Sequence, residues 1–198
     1  TVTFTATDDC GNSSSTTATF TIEDTTAPAI DMAAMDATVE CDGAGNAADL
    51  DGWLASNGGA AASDACSDVT WSNDFDALSD DCGATGMATV TFTATDDCGN
   101  SSSTTAMFTI VDSAAPAFTY VPADYTISCE EELVYEDATA EDACGDVTVS
   151  LIEEIILDDA CPYAYTIVRA FTATDDCGNS TNATQTISVV DETAPVFT

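Results

Sequence analysis

The 198-residue chain carries 36 Asp and Glu against a single Lys or Arg and no His, a formal net charge of −35 at pH 7. That balance excludes binding to nucleic-acid phosphates, which depends on cationic neutralisation, and it opposes an anionic membrane surface. Nine Cys with no Cys-x-x-Cys and no His do not form a zinc pattern.

Self-repulsion of this size works against a compact state unless counter-ions are held near it. Disorder is nevertheless excluded, because 45% of the residues are apolar and they alternate in register with Thr. The chain is organised by the stretch Thr91-Phe92-Thr93-Ala94-Thr95-Asp96-Asp97-Cys98-Gly99-Asn100-Ser101, which returns almost unchanged at Thr3 to Ser13 and at Phe171 to Ser180. Its Phe marker moves from position 4 to 92 and then to 171, so the period is 88 and then 79 residues. Tandem units of one supersecondary plan follow from this.

In chain order, residues 1–26 read as the C-terminal hairpin of a partial unit. Val2, Phe4 and Ala6 share one strand face, Asp8 to Ser15 form the turn, and Ala18, Phe20 and Ile22 line the returning strand. A complete unit is expected over 27–113, with a short strand at Ala37 to Cys41. A helical insert follows from Ala47 to Ala55, where Leu50, Trp53 and Leu54 stand at i, i+3 and i+4, and Asn57-Gly58-Gly59 stop it. The insert is expected to lay Trp53 on the edge of the sandwich. After it come a turn at Asp64 to Asp68, a strand from Val69, a loop around Cys82 and the repeated hairpin to Val111. A second complete unit is expected over 114–192 without the insert, and 193–198 start a further one. The interval from Cys41 to Cys66 is 25 residues and that from Cys129 to Cys144 is 15, whereas the later intervals agree to within one residue. One loop therefore carries the length difference, and a loop tolerates this.

Pro28, Pro116 and Pro195 recur at one phase, each behind an acidic residue (Asp24, Asp112 and Asp191), and read as short, stiff junctions. The fold class predicted is all-β: tandem immunoglobulin-like antiparallel β-sandwiches with Greek-key topology and one short helical insert. By register Arg169 takes the place of Val90 on the inward face, at a strand start, and is expected to snorkel towards Glu153 or Glu154.

Thr-Ala-Thr-Asp-Asp-Cys-Gly-Asn followed by Thr-Phe-Thr-Ile-Glu-Asp-Thr-Thr-Ala-Pro resembles the HYR (hyalin) repeat family, and more narrowly the cysteine-containing repeats of large Bacteroidetes surface proteins, gliding adhesins among them. The resemblance spans essentially the whole chain. It implies an immunoglobulin-like fold, export by a dedicated secretion route and a role in adhesion or as a surface stalk; separately, with no His, one Arg and each aspartate pair set in a repeated turn, no catalysis is expected. Asp24-Thr25-Thr26 and Asp112-Ser113-Ala114 resemble the O-glycosylation signal of that phylum, which would make Thr25 and Ser113 acceptors.

In an immunoglobulin-like sandwich the last hairpin loop lies at the pole where its domain begins. Asp96, Asp97 and Asn100 would then stand beside Glu23, Asp24 and Asp64, and the second set is Asp112, Asp142, Asp175, Asp176 and Asn179. Clustered carboxylates at a junction suit Ca²⁺, although Asp, Gly and Asn are equally the residues of turns. Four cysteines per unit place the chain outside the cytosol and allow three connectivities. The one preferred here pairs Cys66 with Cys98 and Cys144 with Cys177, since those turns share a pole, and leaves Cys41 with Cys82 and Cys129 with Cys161. Cys10 would find its partner in the upstream part of its own unit.

The function expected is that of a structural segment in a secreted or cell-surface filament or adhesin stalk. Its partners are further repeats of the same chain or neighbouring copies, with no nucleic acid and no direct membrane insertion of this segment. The alternative is a module that recognises surface glycans, other cells or a protein partner through a domain face or the Trp53 insert.

Overall fold

The computed structural model of the protein describes residues 1–158, 161 and 163–197; Thr198, expected to belong to a further repeat, lies outside them. The chain opens with a hairpin of β1 (Val2–Thr7) and β2 (Ser13–Ala18). Two sets of six strands follow. In the first, β3 (Ala29–Met32) pairs antiparallel with β5 (Ala61–Ser63). The other four strands are β4 (Ala37–Glu40), β6 (Val69–Asn73), β7 (Gly86–Asp96) and β8 (Ser101–Val111), and they form one sheet in the order β4-β8-β7-β6. The second set repeats this plan. There β9 (Ala117–Tyr120) pairs with β11 (Thr139–Glu141), while β10 (Tyr125–Ser128), β12 (Val147–Leu157), β13 (Tyr165–Asp175) and β14 (Ser180–Val190) make a sheet ordered β10-β14-β13-β12.

The architecture is all-β and immunoglobulin-like, with the early strand of each set returning to lie beside the last. Those closing pairs, β4 with β8 and β10 with β14, run parallel, so the expected antiparallel pattern holds for every other pairing among the described residues. The protein exposes 12519 Å², against about 8,800 Å² for a single compact globule of this mass. Residues 1–23, every one of them exposed, contribute to the excess.

In the first hairpin the returning strand ends at Ala18, short of Phe20 and Ile22, which are 82% and 87% exposed. Their counterparts Phe108 and Ile110 are 1% and 3% exposed, because β4 pairs alongside that stretch and completes the sheet. The expected turn is also shorter, since β2 already begins at Ser13.

The helix α1 spans Ala47–Ala55, as its apolar spacing predicts. Trp53 lies over Phe92 at 5.2 Å and Phe108 at 5.4 Å between ring centroids, and its Nε1 donates to the Met35 carbonyl at 3.0 Å. It is a cover for the sheet, packed on the core rather than laid along an edge. Gly58, at φ 64°, closes the turn after α1; a Cβ there would crowd Ala34, Phe92 and Trp53.

The second set has no such helix and solves the same face differently. Val90 and Ala106, partners across β7 and β8, are replaced at the same register by Arg169 and Gln185 across β13 and β14. Arg169 does not snorkel: it is 2% exposed, and donates to the Glu136 carbonyl at 2.7 Å and to Gln185 Oε1 at 3.0 Å. Its carboxylate neighbours are Glu153, as anticipated, and Asp137, each at 3.7 Å, and its guanidinium lies over the Tyr135 and Phe171 rings. A buried cation is tolerable only with partners of this kind.

Trp53→Ala is expected to lower stability by about 3 kcal/mol, measured by equilibrium denaturation. Arg169→Val alone leaves the Gln185 carbonyl oxygen without its donor and is expected to cost about 1–3 kcal/mol. The double change Arg169→Val with Gln185→Ala, which restores the apolar pair of the first unit, is expected to recover most of that loss in the same assay.

Candidate functional site

The repeated Asp-Asp-Cys-Gly-Asn turn is built by its first aspartate. Asp96 Oδ1 accepts the amides of Cys98 at 2.9 Å and Asn100 at 2.8 Å, while its Oδ2 accepts Asn100 Nδ2 at 2.8 Å. Gly99 sits at φ 89°, in the left-handed region where glycine has no Cβ penalty. Asp8 and Asp175 make the same three contacts in their copies. Burial raises the Asp96 and Asp175 carboxyls, but hydrogen bonds from the Asn side chains and from backbone amides outweigh it and hold both below the usual carboxylate range. Both oxygens of these two candidate ligands thus already accept hydrogen bonds within the turn. Asp97 and Asp176 are exposed; the Asp97 amide donates to Ser67 Oγ, and Asp176 Oδ2 accepts the Asp146 amide.

Each turn grips the linker that precedes its unit. Asn100 Nδ2 donates to the Asp24 carbonyl and Asn179 Nδ2 to the Asp112 carbonyl, both at 3.2 Å. The hairpin turn and linker thus meet at one pole, as the immunoglobulin-like arrangement implies. There Asp24, Asp64 and Cys66 bring one ligand atom each within 4.8 Å of one another, and Asp112, Asp142 and Cys144 do so in the second unit. Asp24 Oδ2 is buried without a hydrogen-bond partner. Burial pushes the Asp112 carboxyl up; the Ala114 amide opposes this, and the charges of Asp142, Asp175 and Glu40 add to it. Glu23 is exposed on the linker. Thr25 and Ser113 are also exposed, and the Ser113 hydroxyl donates to Glu40 Oε2 at 3.0 Å.

The disulfides correct the sequence-based pairing. Cys41 bonds to Cys144 and Cys82 to Cys177, with Cα separations of 6.1 and 5.1 Å. The pairs expected within units, Cys41 with Cys82 and Cys144 with Cys177, are thereby replaced by two bonds between units. Cys10, Cys66, Cys98, Cys129 and Cys161 are free thiols, so neither Cys66 with Cys98 nor Cys129 with Cys161 is joined.

The reason is close backbone approach at the junction. The Ala84 amide donates to the Cys144 carbonyl at 2.6 Å. A Cβ on Gly43 would be driven into the Ala143 carbonyl oxygen, and one on Gly83 into that of Cys144. Two loops of the first unit thus sit directly on the Asp142 to Asp146 turn of the second, which brings Cys41 and Cys82 to its cysteines. The glycines beside Cys41 and Cys82 were the sequence signal for this contact.

No protein-family model matches the sequence, and no curated protein matches it. Among solved structures, the protocadherin GammaB4 extracellular domain aligns at a TM-score of 0.37 and 16% identity, over 94% of this chain and 38% of that one. Drosophila N-cadherin EC1-4 aligns at 0.35 and 12%, over 84% of this chain and 50% of that one. Mouse clustered PcdhgC3 EC1-3 aligns at 0.31 and 12%, over 83% and 68%. The chain spans half the length of the N-cadherin chain and less of the GammaB4 chain.

Two opposite pH dependences follow. The stability due to Asp96 and Asp175, whose carboxyls are held below the ordinary aspartate range, is present above that range and is lost as pH falls through their folded-state values. Asp112, raised in the folded state, contributes stability at low pH that is lost as pH rises through its folded-state value. Thermal melts from about pH 2 to 7 are expected to show that Asp96→Ala lowers the neutral-pH Tm and flattens the acid decline. Asp112→Asn is expected to raise the neutral-pH Tm when no divalent cation is added.

Proposed function

We propose that the protein is a segment of an extracellular stalk or filament, a non-catalytic run of HYR-type immunoglobulin-like repeats divided at 1–26, 27–113, 114–192 and 193–198. The observation that carries this reading is the pair of covalent bonds across one linker. A single peptide linker lets two units swing and twist; two disulfides at separate points remove both freedoms and give a strut. Bonds of this kind persist in an oxidising compartment, which fits a secreted or surface location. The adhesin-stalk reading also suits the acidic surface, since like charges keep adjacent stalks apart.

Calcium at the junctions belongs to the same proposal. The buried, unpartnered Asp24 Oδ2 beside Asp64 offers oxygen donors in the hard-ligand chemistry that Ca²⁺ prefers. Asp112 and Asp142 would be the donors of the second junction, where Cys144 is already committed to its disulfide. Asp96 and Asp175, held to their turns, would add charge rather than direct bonds. Recognition of a glycan or protein through Trp53 is disfavoured, because that ring is packed on Phe92 and Phe108. Thr25 stands open to O-glycosylation on the linker.

Small-angle scattering of the intact protein is expected to give a rod-like particle whose maximum dimension does not shrink or broaden with salt; a flexible, compacting particle would refute the strut. With calcium at about 10 mM, the Tm is expected to rise by about 5 °C or more over an EDTA control at matched ionic strength. An unchanged melt would remove calcium from the proposal and leave the disulfide strut standing.

A further inference from the structure

The two complete units finish the same side of their four-stranded sheet in different ways. In the first, β6 runs beside β7 for the five residues Val69–Asn73 and then leaves it. Asp74 closes the departure, its amide donating to the Thr91 carbonyl at 3.3 Å and its Oδ1 accepting the Thr91 amide at 2.7 Å. The chain beyond carries Phe75 and Leu78 onto the apolar cluster of Phe108 and Ile110, and the Ser79 amide donates to the Met87 carbonyl at 2.8 Å. A loop thus borders most of that side.

In the second unit β12 stays paired with β13 for all eleven residues, Val147–Leu157, and stands last in its sheet. The hairpin fixes which way its backbone points: the Asp158 amide donates to the Ala164 carbonyl at 3.2 Å, so the even-numbered residues of β12 turn their amides and carbonyls to β13. The odd-numbered residues, Val149, Leu151, Glu153 and Ile155 among them, present theirs to the outside, where no strand among the described residues pairs with them. Apolar side chains flank that row. Val149, Leu151, Ile152, Ile155, Ile156 and Leu157 are between 37% and 72% exposed. A long apolar edge of unpaired backbone groups is a template for another strand, and sheets ordinarily blunt such an edge as the first unit does.

We propose that β12 is a docking edge and that its occupant is β12 of a second copy of this chain, paired antiparallel about a two-fold axis at Ile152. The strand's own sequence selects that partner. Ile152 is the midpoint of Val147–Leu157, so the register centred on it is the one in which every residue of the strand finds a mate. In that register Val147 opposes Leu157, Val149 opposes Ile155, Glu153 opposes Leu151, Glu154 opposes Ser150, and Ile152 opposes its own copy. No carboxylate faces another, whereas registers centred on Glu153 or Glu154 set like charges directly opposite. Glu153 also has the guanidinium of Arg169 at 3.7 Å to offset its charge. Repulsion between copies that each carry −35 opposes association in general, which makes the pairing dependent on salt. A two-fold axis closes the edge on itself, so assembly stops at the dimer. The pairing needs only the folded second unit and stands whether or not the chain belongs to a stalk; within one, it joins two stalks side by side.

The test uses the intact protein with its free thiols alkylated under non-reducing conditions, so that disulfides between copies cannot contribute. Sedimentation equilibrium is expected to show a reversible monomer–dimer equilibrium whose dimer fraction grows as NaCl rises from about 0.15 to 1 M, over which the screening length falls from about 8 to 3 Å. Hydrogen exchange followed by NMR below and above the dimer Kd reads the register. In the dimer the amides of Val149, Leu151, Glu153 and Ile155 are expected to exchange about tenfold or more slowly, while those of Ser150, Ile152 and Glu154, already turned to β13, are expected to change little. Ile152 is 72% exposed, so Ile152→Glu leaves the fold intact; it sets two carboxylates face to face at the axis and is expected to weaken the dimer by about tenfold or more. Ser72→Glu, on β6, adds the same charge and is expected to leave the dimer Kd within about twofold. A monomer at every salt concentration, assemblies larger than the dimer, a dimer that Ile152→Glu weakens no more than Ser72→Glu, or slowed exchange that does not alternate along β12 would overturn the proposal. Scattering on the Ile152→Glu protein reads the shape of the single copy separately from the pairing.

Discussion

Two sulfur–sulfur bonds hold together units that their own charge pushes apart. With 36 carboxylates and one cation, the protein cannot rely on salt bridges at its junction, and the contact between units is largely backbone against backbone, at Gly43, Gly83 and Ala84. Beside it, Cys144 joins the apolar cluster of Cys41, Leu50, Phe108 and Ile110 in the first unit. Each disulfide contributes about 2–4 kcal/mol to holding that interface. The surface is thereby freed from having to supply attraction, and it can stay uniformly acidic.

The bonds depend in turn on local order that costs the chain few residues. An Asp at the first position, a Gly in the left-handed region and an Asn at the fifth make a rigid turn, in which the carboxylate takes two backbone amides and the Asn side chain. The same spacing recurs at Asp42-Gly43-Ala44-Gly45-Asn46, where Asp42 Oδ1 accepts the Ala44 and Asn46 amides at 2.8 and 3.0 Å and Gly45 sits at φ 87°. There the turn fixes the loop that carries Cys41. Turn chemistry of one kind therefore positions the cysteines on both sides of the junction.

Much of the fold was legible because its signals are local. Alternation of Thr with Phe, Ala and Ile marks β7, β8, β13 and β14, and the i, i+3, i+4 spacing of Leu50, Trp53 and Leu54 marks α1. The meeting of Asn100 with the Asp24 linker followed from the topology of a sandwich. The disulfide pairing did not, since spacing within a unit is blind to what the next unit brings near. Nor did the parallel pairing of β4 with β8, which is decided by where a four-residue strand lands after the 33–36 connection from β3. Arg169 was legible as an inward residue, but its burial was not. That depends on Gln185 from β14 and on the adjacent Tyr135 and Glu136 from the loop before β11.

The two complete units show how one sheet can be closed by unlike means without moving the junction. In the first, a nine-residue helix brings Trp53 down on Phe92 and Phe108; in the second, a shorter loop and a guanidinium held by two aromatic rings fill the same space. Both changes lie between the first and second cysteine of the unit or on the strand face behind them, away from the turns that carry Cys66, Cys98, Cys144 and Cys177. The pole where the Asp-Asp-Cys-Gly-Asn turn meets its linker keeps one geometry in both units, whereas the loop after the first cysteine differs, Asp42-Gly43-Ala44-Gly45-Asn46 in the first and Glu130-Glu131-Glu132-Leu133-Val134 in the second.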